Sequence, residues 1–131
     1  MNSSDLSSLE VAVLQTLLAG DHPVLAVLRS QLDGLTMNKR ELTGVGFFTE
    51  LSVTKPTSSN SILPSGQLRF GDVEAVIGEL AHGAGFLLYV DGGMLRMLEG
   101  YSYDVPWPEV IAEFSVRYSG PTRTALLAQL G

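Results

Sequence analysis

The segment from Gly83 to Pro108 constrains the fold of this chain more than any other, because a buried hairpin pattern leads into an aromatic, carboxylate-bearing stretch. Five of the six residues from Gly85 to Val90 are large and apolar. Asp91-Gly92-Gly93 then supplies a turn, and an apolar stretch from Met94 to Leu98 follows, interrupted only by Arg96. This pattern predicts two strands joined by a tight turn.

Length and composition fit one domain over residues 1–131 with a well-filled core. Apolar residues make up 45% of the chain and charged residues only 17%, against roughly 25% charged residues in an average globular domain. The shortage of charge leaves two alternatives open. Either the core is simply large, or a partner covers part of the apolar surface, and a homodimer is the commonest assembly of that kind.

Charge and residue content argue against several classes of function. The chain has 14 acidic and 8 basic residues, for a formal net charge of -6, and its cations are scattered, so we expect no nucleic-acid binding. It contains no cysteine, which excludes disulfides, thiolate nucleophiles and cysteine-bound zinc. The first ten residues lack the pattern of a secretory signal, and no apolar run approaches the ~20 residues of a membrane helix. We therefore expect a cytoplasmic protein without membrane contact.

Two amphipathic helices are predicted near the start of the chain. From Leu6 to Leu18 apolar residues recur at intervals of three and four, and Gly20 follows as a stop. The pattern repeats from Val24 to Leu32, with Pro23 in the first turn and Gly34 at the end. The connection between them is short, so we expect an antiparallel or angled pair whose apolar stripes face a common sheet.

The following segments have mainly strand character. Residues Glu41 to Val53 mix apolar residues with small or polar ones and predict one long, bent strand. Residues Leu68 to Leu80 fit a helical stripe as well as two strand stretches out of phase at Gly71. We favour a strand with a bulge at Gly71, because a helix would have to contain Gly78. Phe114 to Tyr118 predicts a further strand.

Together these elements predict an α+β fold. Two N-terminal helices pack on a mainly antiparallel sheet of four to five strands, since the short connections favour antiparallel pairing over crossover units. A short C-terminal helix is expected over Thr122 to Leu130, after the break at Gly120-Pro121.

Three segments between residues 40 and 108, a span of about half the chain, resemble a group of small bacterial proteins. They are RELTGVGFFTEL (Arg40 to Leu51), GAGFLLYVDGG (Gly83 to Gly93) and LEGYSYDVPWP (Leu98 to Pro108). That group combines a comparable glycine-aromatic strand with a terminal hairpin ending in a Leu-Glu-Gly-aromatic and Trp-Pro element. The resemblance implies a bacterial, soluble, sheet-containing fold. It carries over no catalytic residue, because the group has no established activity.

The densest set of functional side chains follows the hairpin. On an extended chain Glu99, Tyr101 and Tyr103 project from one face, so a carboxylate and two phenols line a patch suited to a polar ligand. A carboxylate whose pKa is raised by burial acts as a general acid or base, and Trp107 stacks on a ring or sugar. The structural alternative is that Glu99 accepts backbone hydrogen bonds, the tyrosines bury their rings and Trp107 fills the core.

The two histidines give no metal signature. His82 lies in a glycine-rich turn, where it is a candidate to contact a ligand, and His22 sits beside a helix cap. Zinc sites usually take three or four protein ligands at recurrent spacing, which two distant histidines do not provide. The glycines near His82 and at Gly92-Gly93 lack the spacing of phosphate-binding loops, and the serines lack that of a nucleophile elbow. We expect no metal and no cofactor.

Two consecutive phenylalanines, Phe47 and Phe48, follow the glycines of Gly44-Val45-Gly46. In a strand their rings point to opposite faces. One ring is expected in the core and the other at an interface with a partner, unless helices and loops cover both faces.

The function that the sequence predicts is binding without catalysis, with another protein as the partner. An acidic protein attracts a basic partner electrostatically. The alternative is a small-molecule-binding domain or enzyme with a pocket between helices and sheet, whose mouth carries Glu99, Tyr101, Tyr103 and His82. A homodimer built on a shared sheet edge is a third hypothesis.

Overall fold

The computed structural model describes residues 6–20, 23–53, 67–78, 83–92, 94–103, 106–107 and 113–118. Within these residues the chain forms two short helices followed by six strands. The helices are α1 (Ser8–Leu17) and α2 (Pro23–Ser30). The strands are β1 (Thr36–Leu42), β2 (Gly46–Ser52), β3 (Gln67–Ile77), β4 (Ala84–Asp91), β5 (Met94–Ser102) and β6 (Phe114–Tyr118).

Helix α1 begins at a capping box. The Ser7 hydroxyl oxygen accepts the backbone N–H of Glu10 at 3.1 Å, and the Glu10 carboxylate accepts the backbone N–H of Ser7 at 2.7 Å. Two donors at the helix start are thereby satisfied. The buried apolar side chains of this helix are Leu9, Val13, Leu14 and Leu17.

Helix α2 is tied to the end of α1 and to the sheet. The Arg29 guanidinium donates to the carbonyl oxygens of Leu18 and Gly20, at 2.7 and 3.0 Å, and so caps the C-terminal end of α1. Just beyond α2, the buried Gln31 side chain accepts the backbone N–H of Leu95 in β5 at 3.0 Å. Both predicted N-terminal helices are confirmed.

The six strands form one antiparallel sheet in the order β1-β2-β5-β4-β3-β6. Strands β4 and β5 are the predicted hairpin, with Gly92 at φ +61° in its turn. The register of β3 against β4 shifts between Phe70 and Val73, around Gly71. The strand with a bulge is therefore confirmed over the helix, and the strand at Phe114–Tyr118 is confirmed as well.

The predicted fold class, α+β with four to five strands and a C-terminal helix, is wrong. The described residues are mainly sheet, with six strands and a small helical part. The additional strand arises because the segment predicted as one bent strand belongs to a hairpin of β1 and β2. Its turn contains Gly44 at φ +87°, and the Thr43 N–H donates to the Gly46 carbonyl oxygen at 3.0 Å. The terminal helix predicted over 122–130 lies outside the described residues.

Strand β1 is an edge strand, which explains why the sequence did not reveal it. Its residues, TMNKREL, are largely polar, and five of the seven are exposed. Edge strands carry charged side chains that discourage pairing with other chains. Such a strand lacks the alternation of apolar and polar residues that predicts a half-buried strand.

The helices cover one side of the sheet, here called the inner face. Helix α1 contacts β3, β4 and β6. Burial alternates along the strands, so Phe47 in β2 is 4% exposed on the inner face, whereas Phe48 is partly exposed on the opposite, outer face. Neither described helix has the length and apolar content needed to cross a membrane. The largest fully buried residues are Phe86, Leu14, Leu17, Leu18, Leu25, Leu28, Ile77, Leu88, Leu95, Leu98 and Gln31.

Candidate functional site

The outer face carries large apolar side chains at the centre of the sheet, where an uncovered antiparallel sheet usually presents polar ones. Strands β2, β5 and β4 lie side by side there, and their register aligns Phe48, Glu99 and Leu87 in one row. We define the outer patch as six partly exposed side chains on these three strands: Phe48, Leu87, Tyr89, Met97, Glu99 and Tyr101.

Glu99 lies at the centre of the outer patch. Phe48 is its partner on β2, and Leu87 is its partner on β4. The Tyr89 hydroxyl donates a hydrogen bond to Glu99 Oε1 at 3.0 Å. Within the described part of the chain, no donor is seen at Oε2. The patch therefore offers a carboxylate with free acceptor capacity among apolar and aromatic neighbours.

Tyr101 owes its position on the patch to a missing side chain across the strand. It pairs with Gly85 of β4, and a Cβ atom at Gly85 would lie 2.6 Å from the Tyr101 ring. The ring therefore lies over the glycine backbone. Tyr103, 52% exposed, meets the Tyr101 ring edge to face, with centroids 5.8 Å apart and planes at 86°. The pair extends the aromatic surface beyond Glu99.

Both patch tyrosines hold their protons more tightly than usual. Burial raises the pKa of Tyr89 above its ordinary value of 10.0, and the hydrogen bond to Glu99 raises it further. Burial also raises the pKa of Tyr101, with added contributions from Tyr103 and Glu99. At neutral pH both phenols are therefore donors, and neither is a candidate base.

The structure separates the residues that the sequence grouped. Glu99, Tyr101 and Tyr103 lie together, but the first two are on the outer face and so away from any pocket between helices and sheet. Trp107 lies on the other side, against Phe47 and Phe86. His82 lies outside the described residues. No group of three or more potential metal ligands occurs among the residues the structure describes.

A second polar site, which sequence reasoning missed, joins α1 to the edge of the sheet. The Glu10 side chain is 2% exposed, and Arg40 of β1 donates to both of its oxygens, from Nε at 3.1 Å and from Nη2. The Thr49 hydroxyl of β2 also donates to Glu10, at 2.5 Å. One signal was available, because Glu10 falls on the apolar side of α1 next to Leu9.

Glu10 is a structural anchor. Burial alone would raise its pKa, but the hydrogen bonds from Arg40, Ser7 and Thr49, together with the guanidinium charge, hold the pKa below the ordinary value of 4.5. Its carboxylate is thus ionised at neutral pH and occupied by four donor groups. A carboxylate so engaged does not abstract a proton from a substrate.

The main cavity of the described residues opens beside this anchor, between the start of α1 and the β1–β2 hairpin. We call it the α1 cleft, and its volume is about 500 Å³. The backbone N–H of Trp107 donates to the Gly44 carbonyl oxygen at 2.8 Å and holds the indole at the cleft. Arg40 and Ser7 supply polar lining. The apolar lining consists of Leu9, Leu42, Phe47, Trp107 and Phe114.

Comparison of the chain with protein families, curated proteins and solved structures gives no match. The resemblance to small bacterial proteins stays a prediction. Function therefore has to be argued from the outer patch and the α1 cleft themselves.

Proposed function

We propose that this chain is a non-catalytic binding protein whose outer patch receives a protein partner, with a lysine or arginine of that partner against Glu99. The observation that carries the proposal is a carboxylate with free acceptor capacity at the centre of an exposed apolar surface. The proposed setting is the bacterial cytoplasm, as the sequence resemblance and the amino-terminal composition suggest.

The apolar content of the outer patch supports a docking role. Polar or β-branched side chains satisfy the exposed face of an antiparallel sheet. Here Phe48, Leu87 and Met97 occupy central positions instead and stay partly exposed. Contiguous exposed apolar surface of this kind marks interaction sites.

The charge of the patch supports a basic group on the partner. Glu99 lies among Phe48, Tyr89 and Tyr101, so a cation placed on it meets a carboxylate and aromatic rings together. The net charge of -6 draws basic partners toward the protein. A second copy fits less well, because a two-fold contact centred on the patch would bring Glu99 close to its own copy.

The chemistry of the described side chains supports binding over catalysis. Tyr89 and Tyr101 keep their protons, and Glu10 is fully engaged by donors. The patch is an open surface of the sheet, unlike the enclosed clefts that bury small substrates. Its only neighbouring depression in the described residues, about 370 Å³ near Tyr89 and Met97, mixes acidic and basic lining from Asp91 and Arg96.

A peptide pair tests this proposal. The probe is acetyl-Ala-Leu-Arg-Leu-Ala-amide, and its matched control carries citrulline in place of arginine, which keeps the shape and removes the charge. We expect the arginine peptide to shift the backbone amide NMR signals of Phe48, Glu99 and Tyr101, with an affinity on the order of tenfold above the citrulline peptide. High salt should weaken the binding.

Two substitutions locate the interaction. Glu99→Gln should abolish the preference for arginine over citrulline, while Glu113→Gln, at an exposed position beside β6, should leave it unchanged. Equal binding of both peptides, or shifts that fall elsewhere on the protein, would contradict the proposal. Sedimentation tests the homodimer in parallel, since a stable dimer that occludes Glu99 would replace the partner proposed here.

A further inference from the structure

We propose that the α1 cleft is a second binding site, specific for a small molecule with an apolar body and a carboxylate. This inference is independent of the outer patch, because the cleft lies on the inner face of the sheet. Its volume of about 500 Å³ falls within the usual range of roughly 300–1,000 Å³ for small-molecule sites.

The walls of the cleft select an apolar body. The Trp107 and Phe47 rings meet edge to face, with centroids 5.3 Å apart and planes at 73°. Phe114 and Leu9 complete these walls, while Leu42 stands at the mouth with 72% of its surface exposed. An exposed leucine beside an aromatic cleft gains from a ligand that covers it.

Arg40 selects the carboxylate. Its Nε and Nη2 atoms bind Glu10, while Nη1 has no partner among the described residues. The Arg40 side chain is 31% exposed, whereas that of Glu10 is 2% exposed. A ligand entering the cleft therefore meets the guanidinium edge and not the buried carboxylate. Guanidinium groups form strong, directional hydrogen bonds with carboxylates.

The anchor also prepares the arginine for binding. Glu10 fixes the guanidinium by two hydrogen bonds, so the free edge is already oriented when a ligand arrives. Preorganisation reduces the entropy lost on binding. The Ser7 hydroxyl oxygen already accepts the Glu10 N–H, but its proton remains a donor toward the cleft.

Octanoate is the probe for this site, with octanamide as the uncharged control and octylammonium as the control of opposite charge. The chain contains one tryptophan, Trp107, which lies in the cleft and reports binding by its fluorescence. We expect octanoate to change this fluorescence with a dissociation constant on the order of 1 mM. Octanamide should bind about tenfold more weakly, and octylammonium more weakly still.

Three substitutions connect the binding to the cleft. Arg40→Lys keeps a cation for Glu10 but removes the guanidinium edge, so octanoate should lose its advantage over octanamide. Leu42→Glu should weaken octanoate binding at least about fivefold and Leu42→Gln less, because only the first adds a negative charge at the mouth. Val76→Glu places the same charge at an exposed position on β3, away from the cleft, and should have no effect.

Amide NMR shifts provide a second readout. Octanoate should move the signals of Leu9, Leu42 and Phe47 while leaving Glu99 and Tyr101 unchanged. Equal binding of octanoate and octanamide, unchanged binding in the Leu42→Glu variant, or no binding at millimolar concentration would overturn the inference. None of these outcomes bears on the arginine peptide, so the two proposals fail separately.

Discussion

Replacing Glu10 by glutamine tests how much of the fold depends on the anchor between α1 and the sheet edge. Glutamine has nearly the same shape, but it has no charge and replaces one acceptor oxygen with a donor group. That group would face donors supplied by Arg40, Thr49 and the Ser7 backbone. The substitution therefore breaks a buried ion pair while leaving the packing volume unchanged.

The expected cost follows from burial. Removing one partner of a fully buried ion pair costs about 3–5 kcal/mol, because the remaining charge stays desolvated. Here the remaining charge is Arg40, whose side chain is 31% exposed and regains contact with water. We therefore expect the lower end of the range, about 3 kcal/mol, which corresponds to a fall of roughly 10 °C in melting temperature for a domain of this size.

Urea unfolding followed by Trp107 fluorescence and far-ultraviolet circular dichroism measures this cost. The matched control is Glu41→Gln, which removes a carboxylate from an exposed position next to Arg40 and should change stability by less than about 0.5 kcal/mol. A double-mutant cycle with Arg40→Met should give a coupling energy above about 1 kcal/mol. A cost for Glu10→Gln no larger than that of the control, or additive effects in the cycle, would refute the anchor.

Three further predictions follow from the same contacts. Stability should be retained above pH 4.5 and lost as the pH falls through the lowered folded-state pKa of Glu10, and acid titration of the Glu10→Gln variant should show a smaller loss. Spectrophotometric titration should find Tyr89 and Tyr101 ionising above pH 10.0, and Glu99→Gln should bring Tyr89 closer to its ordinary value; ionisation of both at or below 10.0 contradicts their placement. Gly46→Ala should destabilise by about 3 kcal/mol or more, since its Cβ would collide with the Gly100 carbonyl oxygen, whereas Gly78→Ala, with open space, should cost little in the same urea assay.

The sequence predicted those strands that combine a buried face with turn residues. The β4–β5 hairpin has both, since Phe86 and Leu88 alternate toward the core and Gly92 supplies the turn. Strand β1 has neither feature, because it lies at an edge and exposes most of its side chains. Edge strands therefore escape a method that depends on hydrophobic alternation.

The candidate sites were predictable only where their residues are neighbours along one strand. Glu99 and Tyr101 share a face of β5 because alternation guarantees it. Arg40 reaches Glu10 across 30 positions of sequence, so no local spacing brings them together. Trp107 was grouped with Glu99 by proximity in the chain, yet it packs against Phe47 on the opposite side of the sheet.

The aromatic content of the outer patch also bears on whether its residues serve stability or recognition. Cross-strand pairs such as Phe48 and Glu99, or Tyr101 over Gly85, contribute up to about 1 kcal/mol each. Threonine gives comparable strand stability and exposes far less apolar surface. Tyr101→Thr should therefore leave folding nearly intact if the ring serves recognition. Loss of arginine-peptide binding without a matching loss of stability would separate the two roles, because a ring needed only for folding would lose both together.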